Sequence, residues 1–565
     1  MDKRTIIAFI VIGLIFVGWM YLTMPQAPQT PPPSTQDTLS TAVDTVMEEI
    51  PRPKEQVPVD TDVVDQLSED DSLFAKFQKM PVDTVIVETE KYIARFSGKG
   101  GSLISFKFKE YNYNNGDTLP IEMVPDWADQ VLKFEFPDAE RRDFNLRKIV
   151  FTPNKSALKL TGEGATDKLV FRADLENNDF IELMYTFYSR SYDFDVKIDI
   201  EGELAQSLGR EYLFGWQPGL ESTEINRKDD FNSFKANVMW DTGLEKYDDF
   251  EHGHLEETIV GAPKWIATRT KYFFVGIDPE RDPEAALIEG DRVKVDEGKG
   301  QLGRTRIGVQ VRMPIHARKS LFDKFSVYIG PIDYDLLKSY NNGYHQAVDV
   351  GGILSPISLF ILWLMKNLYS VLGNYGLVII VFSILMKVVF YPLTSRSLKS
   401  MKKMQELQPK LKALQEKYKS EPQKLNAEVM KLWKENKVNP MGGCLLMLPQ
   451  LPIFFALFTV FRNTILLRGA EFALWMQDLS QPDSTLILPI IMGLTMFLQQ
   501  KMTMQDPKQK MLVYILPVVF FFLFKGFSTG LVLYWTMFNI LSILETILIR
   551  KPSEKSEQVQ PAEIK

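Results

Sequence analysis

Residues 374–394 read NYGLVIIVFSILMKVVFYPLT, an apolar run that is long enough to cross a bilayer and yet contains a lysine. Lys387 lies within the run, and Ser383 falls four positions earlier, which places both side chains on one face of a helix. A cation at bilayer depth costs roughly 2.5–3.5 kcal/mol even on a lenient insertion scale, so the lysine needs an explanation. Position alone leaves two explanations open. Either this face borders a polar, wetted cavity inside the membrane, or Lys387 extends its ammonium to the headgroups near the end of the span.

The rest of the chain divides into soluble-type and membrane-type parts. Its 565 residues carry a net charge of −7 and are 45% hydrophobic, but the long apolar runs are confined to the N-terminus and residues 353–549. The single cysteine, Cys444, excludes an intramolecular disulfide. No cluster of metal-ligating or catalytic residues stands out in the sequence. We therefore expect no metal, no cofactor and no DNA binding.

Residues 1–24 predict a transmembrane anchor. An apolar segment at 5–22 follows Lys3 and Arg4, an arrangement that also fits a cleaved signal peptide. The segment is long for a signal peptide, lacks a small-x-small cleavage site and ends with aromatic residues typical of the membrane interface. We therefore expect an uncleaved anchor with a cytoplasmic N-terminus. Residues 25–81 are rich in Pro, Thr, Asp and Glu and predict a disordered tether outside the cytoplasmic membrane.

Residues 82–345 change to the patterning of a β-domain. Polar and apolar residues alternate strictly over 192–200, and runs such as 306–312 repeat the pattern between turns rich in Gly, Asn and Asp. The sequence predicts an antiparallel β-sandwich. Two stretches invite chemical interpretations. The glycine-rich residues 98–101 lack the spacing of a phosphate loop and predict a turn, and the His-Gly-His sequence at 252–254 predicts an exposed loop in preference to a metal site.

Residues 353–549 form the membrane-type core. Residues 354–372 are apolar but contain Lys366 and Asn367, which favours an amphipathic helix lying on the outer interface. Five spans are then predicted, at residues 374–394, 441–462, 486–502, 510–524 and 528–549. With the N-terminal anchor they make six crossings, so the charged tail 550–565 is expected to be cytoplasmic.

The loop at 395–439 contains twelve basic and five acidic residues, so the positive-inside rule places it in the cytoplasm. Apolar residues recur at three- and four-residue steps on both sides of a break near Pro422, which predicts an antiparallel helical hairpin. A basic hairpin beside a membrane is suited to binding anionic lipid or ribosomal RNA. The alternative is a solvated helix pair whose positive charge reflects only its cytoplasmic location and which has no binding role.

Five blocks within the core resemble the YidC membrane protein insertase family, and they occur in the family's order. The blocks are Tyr391-Pro392-Leu393-Thr394, Val438-Asn439-Pro440-Met441-Gly442-Gly443-Cys444, Gln450-Leu451-Pro452-Ile453-Phe454, Phe472-Ala473-Leu474-Trp475 and Ser528-Thr529-Gly530-Leu531-Val532-Leu533-Tyr534-Trp535. The N-terminal anchor and the large outer β-domain are similar to the Gram-negative form of the family. This resemblance implies that the tether and the β-domain are periplasmic.

The resemblance also implies a five-span α-helical core that encloses a hydrophilic groove, open to the cytoplasm and to the lipid and closed outward. The family's groove carries one positive residue, usually arginine, at the position of Lys387 here. Lysine keeps the charge but loses the planar fork that makes bidentate contacts with carboxylates. Ser383, Gln450 and Trp535 match further positions that line or border the family's groove.

The function implied by the resemblance is that of a membrane protein insertase and chaperone of the inner membrane. Such a protein acts alone or with the Sec translocon and is not an enzyme. Its partners would be nascent membrane proteins and membrane lipids, with the ribosome as a further candidate.

Two other classes stay open on the residues alone. A transporter or channel would also place polar residues within the membrane, although no inverted repeat is evident in the sequence. A membrane-anchored enzyme would need a catalytic set in the β-domain, where the sequence offers no plausible one.

Overall fold

The computed structural model describes residues 80–550 apart from the stretches 114–118, 138–144, 176–178, 225–229, 294–303, 317–319, 437–449 and 504–509. Several predicted segments lie outside the described residues, namely the anchor 1–24, nearly all of the tether 25–81, the start of the span 441–462 and the tail after Arg550. The chain forms two compact units. One contains residues 410–432, and the other contains the β-domain and the apolar helices.

The β-domain consists of short strands that form three sheets. In chain order the strands are β1 (Thr84–Glu88), β2 (Tyr92–Ser97), β3 (Ser102–Asn112), β4 (Pro120–Glu122), β5 (Leu132–Glu135), β6 (Thr152–Pro153), β7 (Ala157–Lys159), β8 (Thr166–Asp174), β9 (Phe180–Tyr188), β10 (Asp193–Glu201), β11 (Glu211–Trp216), β12 (Lys235–Trp240), β13 (Gly243–Tyr247), β14 (His254–Val260), β15 (Trp265–Arg269), β16 (Phe273–Pro279), β17 (Ala285–Val293), β18 (Arg304–Pro314) and β19 (Ser320–Pro331). The sheet orders are β4-β3-β2-β1-β7, β13-β12-β15-β16-β19-β10-β9-β8-β6 and β14-β17-β18-β11-β5. Neighbouring strands are antiparallel, except that β1 and β7 run parallel.

The two five-stranded sheets pack on the same face of the nine-stranded sheet. The register pairs Tyr185 with Val196 and Val196 with Phe325, so these three side chains share a face. Phe96 of one small sheet packs against Tyr185 with ring centroids 4.7 Å apart, and Phe214 of the other packs against Phe325 at 4.3 Å. Every second residue of a strand points the same way, so the alternating strands bury one face in this contact. The prediction of a β-rich domain is confirmed.

Of the two stretches that invite chemical interpretations, residues 98–101 are a turn, as predicted, whereas 252–254 are a turn that ends at His254, the first residue of β14. Residues 98–101 form the turn between β2 and β3, where Gly101 has a φ angle of 57°. A Cβ on Gly101 would lie 2.9 Å from the Cδ1 of Leu183, so packing as well as backbone conformation requires glycine. His252 and His254 are exposed, and the described residues contain no group of three side chains suited to holding a metal ion.

Most of the helices lie after the β-domain. In chain order they are α1 (Glu203–Gln206), α2 (Tyr334–Ser339), α3 (Ser355–Leu372), α4 (Tyr375–Glu406), α5 (Gln408–Lys417), α6 (Pro422–Glu435), α7 (Gln450–Asn463), α8 (Ile487–Thr503), α9 (Lys510–Phe524) and α10 (Thr529–Arg550). Short 3₁₀ turns lie at Leu146–Lys148, Tyr344–Ala347, Gly352–Leu354 and Ile465–Leu467. In the core, α3 packs against α4 and α7, α8 packs against α9 and α10, and α10 packs against α4.

Three of the described helices are long and apolar enough to cross a membrane, namely Gly352–Leu372, Tyr375–Met404 and Thr529–Ile549. Each predicted span falls on a helix over its described residues, except that Asn374, Leu486 and Ser528 directly precede their helices. The sequence favours an interfacial position for the helix that ends at Leu372, whereas its length and composition also suit a crossing. The interfacial position stays a prediction.

Helix α4 is longer than the sequence predicts. The patterning ends the span at residue 394, but the helix continues through Pro392 to Glu406. Proline removes a backbone hydrogen bond from a helix interior. Packing offsets this loss, because Thr394 and Ser397 just beyond the proline are each only 8% exposed. The basic segment 395–439 therefore begins inside α4 and continues as α5 and α6, whose packing as an antiparallel hairpin stays a prediction.

Residues of the β-domain form ion pairs with residues of the membrane-type core. Arg468, which follows α7, donates from Nε to Oε1 of Glu224 in the β-domain at 2.7 Å, and the two side chains are 6% and 1% exposed. Lys366 of α3 pairs with Asp333 at 3.0 Å and with Asp335 at 2.5 Å, at the start of α2. The contact between Arg468 and Glu224 is almost fully buried, so removing either partner would leave the other charge away from water.

Asp230 of the β-domain is expected to make the protein more stable in mildly acidic solution. Its side chain is fully buried, and this burial raises the pKa of Asp230 to about 6, with the nearby Glu224 adding to the effect. The folded chain therefore takes up a proton below about pH 6, whereas the unfolded chain does so only below about pH 4. Stability from this group falls as the pH rises from about 4 to about 6 and changes no further above that.

Asp230→Asn should remove this pH-dependent contribution, which is worth about 2–3 kcal/mol across the window. Thermal unfolding of the full chain in detergent at about pH 4.5 and about pH 7 measures it. On acidification, the unmodified chain should gain more stability than the variant does. Equal responses of the two proteins would contradict the assignment.

Candidate functional site

Lys387 is buried in the core and forms an ion pair that crosses from one helix to another. Its side chain projects from α4 and is 12% exposed. The Nζ atom lies 3.1 Å from Oε2 of Glu545 on α10 and 4.3 Å from the centre of the Phe538 ring. The ammonium thus has an aromatic face and a carboxylate as neighbours within the bundle.

Glu545 is held by a second contact from α4. Its side chain is 10% exposed, and its Oε1 atom accepts a hydrogen bond of 2.6 Å from the Thr394 hydroxyl. Removing one partner of a buried ion pair costs about 3–5 kcal/mol, because the other charge is left without compensation. Lys387 and Glu545 therefore depend on each other for their place in the bundle.

Further polar side chains lie between α4, α8 and α10. Ser383 is fully buried and donates to the Ile379 carbonyl at 2.7 Å, one turn earlier on α4. Asn539 of α10 donates to the Thr495 hydroxyl of α8 at 3.4 Å. Four buried polar residues of α10 form a stripe at helical spacing, which consists of Thr536, Asn539, Ser542 and Thr546. Hydroxyl and amide groups are therefore buried among the apolar side chains of these helices, and the hydroxyls of Thr536, Ser542 and Thr546 donate to carbonyls of α10 itself.

Gln450 and Trp535 lie in a neighbouring part of the core. Gln450, at the start of α7, donates from Nε2 to the Tyr534 hydroxyl at 2.9 Å. Trp535 packs against Phe454 and Phe524 with ring centroids 5.0 and 5.3 Å apart. Its indole N–H is buried and has no hydrogen-bond partner among the described residues. The predicted site residues thus form two groups, Lys387 with Ser383 on α4, and Gln450 with Trp535 beside Tyr534.

A small recess of about 20 Å³, with room for about one water molecule, lies between the ends of three helices. Its lining comes from α4, α8 and α10 and consists of Leu398, Met401, Lys402, Met502, Thr503, Thr546 and Ile549. Thr546 directly follows Glu545 in the chain and also belongs to the polar stripe. The recess therefore lies at the helix ends, and neither member of the ion pair lines it.

The opposite ends of the same helices are covered by residues 464–486, which we call the return loop. Thr529 and Gly530 at the start of α10 donate their backbone N–H groups to carbonyls of this loop at 2.7 and 2.9 Å. Asp483 accepts from the Leu488 N–H at the start of α8 at 2.8 Å. Phe472 lies so close to α4 that a Cβ on Gly376 would be 2.0 Å from its ring. The loop thus joins the ends of α4, α8 and α10.

Glu545 is the residue that the sequence analysis missed. It lies within the predicted span 528–549, in the apolar stretch Ile543-Leu544-Glu545-Thr546-Ile547. An ionisable residue within a membrane span is a functional candidate by itself, and a partner of opposite charge should be sought for it. That rule, applied to both Lys387 and Glu545, would have suggested the pair.

Curated relatives match nearly the whole chain. The membrane protein insertase YidC of Chlorobium limicola is 32% identical over 99% of this chain and 96% of its own length. The membrane protein insertase YidC of Syntrophus aciditrophicus is 32% identical over 98% of this chain and 100% of its own length. A crystal structure of an active YidC insertase covers 84% of this chain and 95% of its own, at 20% identity and a TM-score of 0.37.

Apolar helices joined to a β-domain, with an ion pair buried among them, define a polytopic membrane protein with a large domain outside the bilayer. The family model of the 60Kd inner membrane protein matches residues 353–557, and that of the YidC periplasmic domain matches residues 84–364. The chain belongs to the YidC family. It is an inner membrane protein, and its β-domain is periplasmic.

Proposed function

We propose that this chain is a membrane protein insertase, which helps integral membrane proteins to enter the inner membrane and to fold there. Relatives of that name match nearly its whole length, which supports the proposal. The observation that carries it is the buried Lys387, whose ion pair lies in a bundle with a small recess at one end and the return loop over the other. A polar interior open at one end is what an insertase needs.

The proposed topology has six crossings, made by the anchor 1–24 and the five core spans. The N-terminus, the hairpin 395–439 and the tail 550–565 are cytoplasmic in this arrangement, in keeping with the positive charge of the hairpin. Because the β-domain is periplasmic and Glu224 pairs with Arg468 of the return loop, that loop belongs at the periplasmic face. The recess then opens toward the cytoplasm.

The mechanism follows from the cost of moving a polar flank across the bilayer. The hydrocarbon layer is about 30 Å thick, and each unsatisfied backbone group within it costs several kcal/mol. A hydrophilic groove that reaches partway into the membrane shortens this path. Lys387 can bind an acidic flank through charge-assisted hydrogen bonds while the apolar segment moves into lipid. Apolar partitioning and the membrane potential supply the driving force, so no nucleotide or covalent intermediate is required.

The other site residues border the proposed groove. Ser383 shares the helical face of Lys387 and adds a hydroxyl to its polar wall. Gln450 and Tyr534 provide a polar contact between α7 and α10. The Trp535 indole N–H, which is buried without a partner among the described residues, can donate to water or to the backbone of a client chain.

The proposed partners follow from the charge distribution and from the family. Nascent membrane proteins are the clients, delivered directly or together with the Sec translocon. The basic segment that contains α5 and α6 is the candidate contact for the ribosome or for anionic lipid headgroups. A chaperone role would use the same groove, since it shields polar groups of a client before its helices pack.

Reconstitution tests the proposed function. The purified full chain is placed in liposomes, a small single-span client with an acidic flank is synthesised in their presence, and protection of that flank from added protease reports insertion. We expect protection well above that in empty liposomes, and Lys525→Gln, which removes an exposed lysine elsewhere in the core, should not change it. Protection equal to that in empty liposomes, together with a specific solute flux, would favour a transporter instead.

A further inference from the structure

We infer that Glu545 occupies Lys387 in place of a client carboxylate and thereby sets how acidic a client flank must be to bind there. This inference rests on the proposed function. Its new element is an internal competitor: the glutamate belongs to the chain itself, on α10, and faces the lysine of α4 at 3.1 Å. An acidic flank has to displace it before the lysine can bind the flank.

The chemistry of the pair supports competition. Glu545 presents the same carboxylate group that an aspartate or glutamate in a client flank would present. Among the described residues, it is the hydrogen-bond partner of the Lys387 ammonium, which has three donor hydrogens. The Phe538 ring lies 4.3 Å from the same ammonium and limits access from that side. A client carboxylate therefore replaces Glu545 in an exchange of like groups.

The resting pair also keeps the bundle from holding an uncompensated charge. Both side chains are about one-tenth exposed, and a lone ammonium at this depth would be unfavourable. The free energy of the exchange is close to zero when one client carboxylate replaces the one carboxylate of Glu545. A flank with several acidic residues gains an advantage because it presents a higher local concentration of carboxylates. The pair thus selects strongly acidic flanks over weakly acidic ones.

The displaced carboxylate belongs to the residue just before Thr546, which lines the small recess between the helix ends together with Lys402 of α4. The recess has room for about one water molecule, which can hydrate the released carboxylate if the side chain turns toward the helix ends. The Thr394 hydroxyl, which contacts the other oxygen at 2.6 Å, guides Glu545 back when the client leaves.

The test uses a series of clients whose flanks carry no, one, two or three aspartates and are otherwise identical. Insertion into liposomes that contain the full chain is measured for the unmodified protein, for Glu545→Gln and for Lys387→Gln/Glu545→Gln. The glutamine keeps the size of Glu545 and an oxygen for Thr394 but removes its charge. Glu471→Gln is the matched control, because it removes an exposed acid from the same core, away from the basic segment.

We expect Glu545→Gln to raise insertion of the one-aspartate client by about tenfold, since the competing charge-assisted hydrogen bond is gone. The three-aspartate client should change little, and the double variant should insert all clients alike. If Glu545→Gln keeps the flank dependence of the unmodified chain while the double variant loses it, Lys387 acts as proposed and the competitor role is wrong. If the double variant keeps that dependence, the proposed groove itself is wrong.

Folding is checked separately. Core levels in the membrane and thermal unfolding in detergent are compared for all variants. If Glu545→Gln does not accumulate, Glu545→Asp takes its place, because it keeps the charge but withdraws the carboxylate by one methylene and weakens the contact. A smaller shift toward weakly acidic clients would then support the inference, and an unchanged flank dependence would overturn it.

Discussion

Lys387→Glu is expected to reduce insertion of clients with acidic flanks to the level of liposomes that lack the protein. The substitution replaces the groove cation with an anion and places two carboxylates opposite each other, because Glu545 lies 3.1 Å from the Lys387 ammonium. Like charges at this depth repel each other and repel the client flank. Lys387→Arg keeps the charge and should retain activity. Protease protection of the flank measures both effects.

Loss of folding must be separated from loss of function in this experiment. Breaking the buried pair by Lys387→Glu should destabilise the core by about 3–5 kcal/mol. The exchanged variant Lys387→Glu/Glu545→Lys restores an ion pair between α4 and α10 and should recover stability. Because its cation stays at nearly the same depth, part of the insertion activity should return as well. Full activity of Lys387→Glu alone would contradict the groove role of this residue.

The second large effect is expected where the β-domain meets the core. Glu224→Gln removes the charge that compensates Arg468, whose side chain is only 6% exposed. An uncompensated buried charge costs about 3–5 kcal/mol, so the variant should unfold at a clearly lower temperature and expose the return loop to protease. The double variant Glu224→Met/Arg468→Met should recover most of this loss, because well-packed apolar residues replace buried ion pairs at little cost.

An exposed ion pair provides the matched control for this measurement. Lys264 and Asp241 lie 2.8 Å apart in the β-domain, with side chains 57% and 89% exposed. Asp241→Asn should cost no more than about 0.5–1 kcal/mol, because exposed pairs are screened by water and salt. Similar losses for Glu224→Gln and Asp241→Asn would mean that burial does not make the contact with Arg468 special.

Local elements of this fold could be predicted from the sequence because their periods fit within short windows. Strand β10 was evident from alternating residues, and the last span, predicted at 528–549, is the helix Thr529–Arg550. The first core span was predicted to end at residue 394, where the apolar run gives way to a basic segment, whereas the helix continues to Glu406. Hydropathy marks the end of the apolar run and not the end of the helix, which packs further against α10.

The contacts that define the candidate site could not be predicted in the same way. Lys387 and Glu545 are 158 positions apart in the chain, and Arg468 and Glu224 are 244 apart. No periodic pattern links such residues, because their meeting depends on how whole helices and sheets are arranged. Sequence alone identified Lys387 as unusual but left its environment open. The roles of Ser383, Gln450 and Trp535 in the groove stay predictions.

The return loop has a consequence for the permeability of the membrane. Because it joins α4, α8 and α10 at one end, we expect any thermal separation of these helices to be largest at their other end, where Leu398 and Ile549 lie. In the proposed orientation the helices would separate at the cytoplasmic leaflet, while their periplasmic ends stayed closed. A client polypeptide could then enter without a continuous column of water that conducts protons across the membrane. The electrochemical gradient would therefore be maintained during each insertion event.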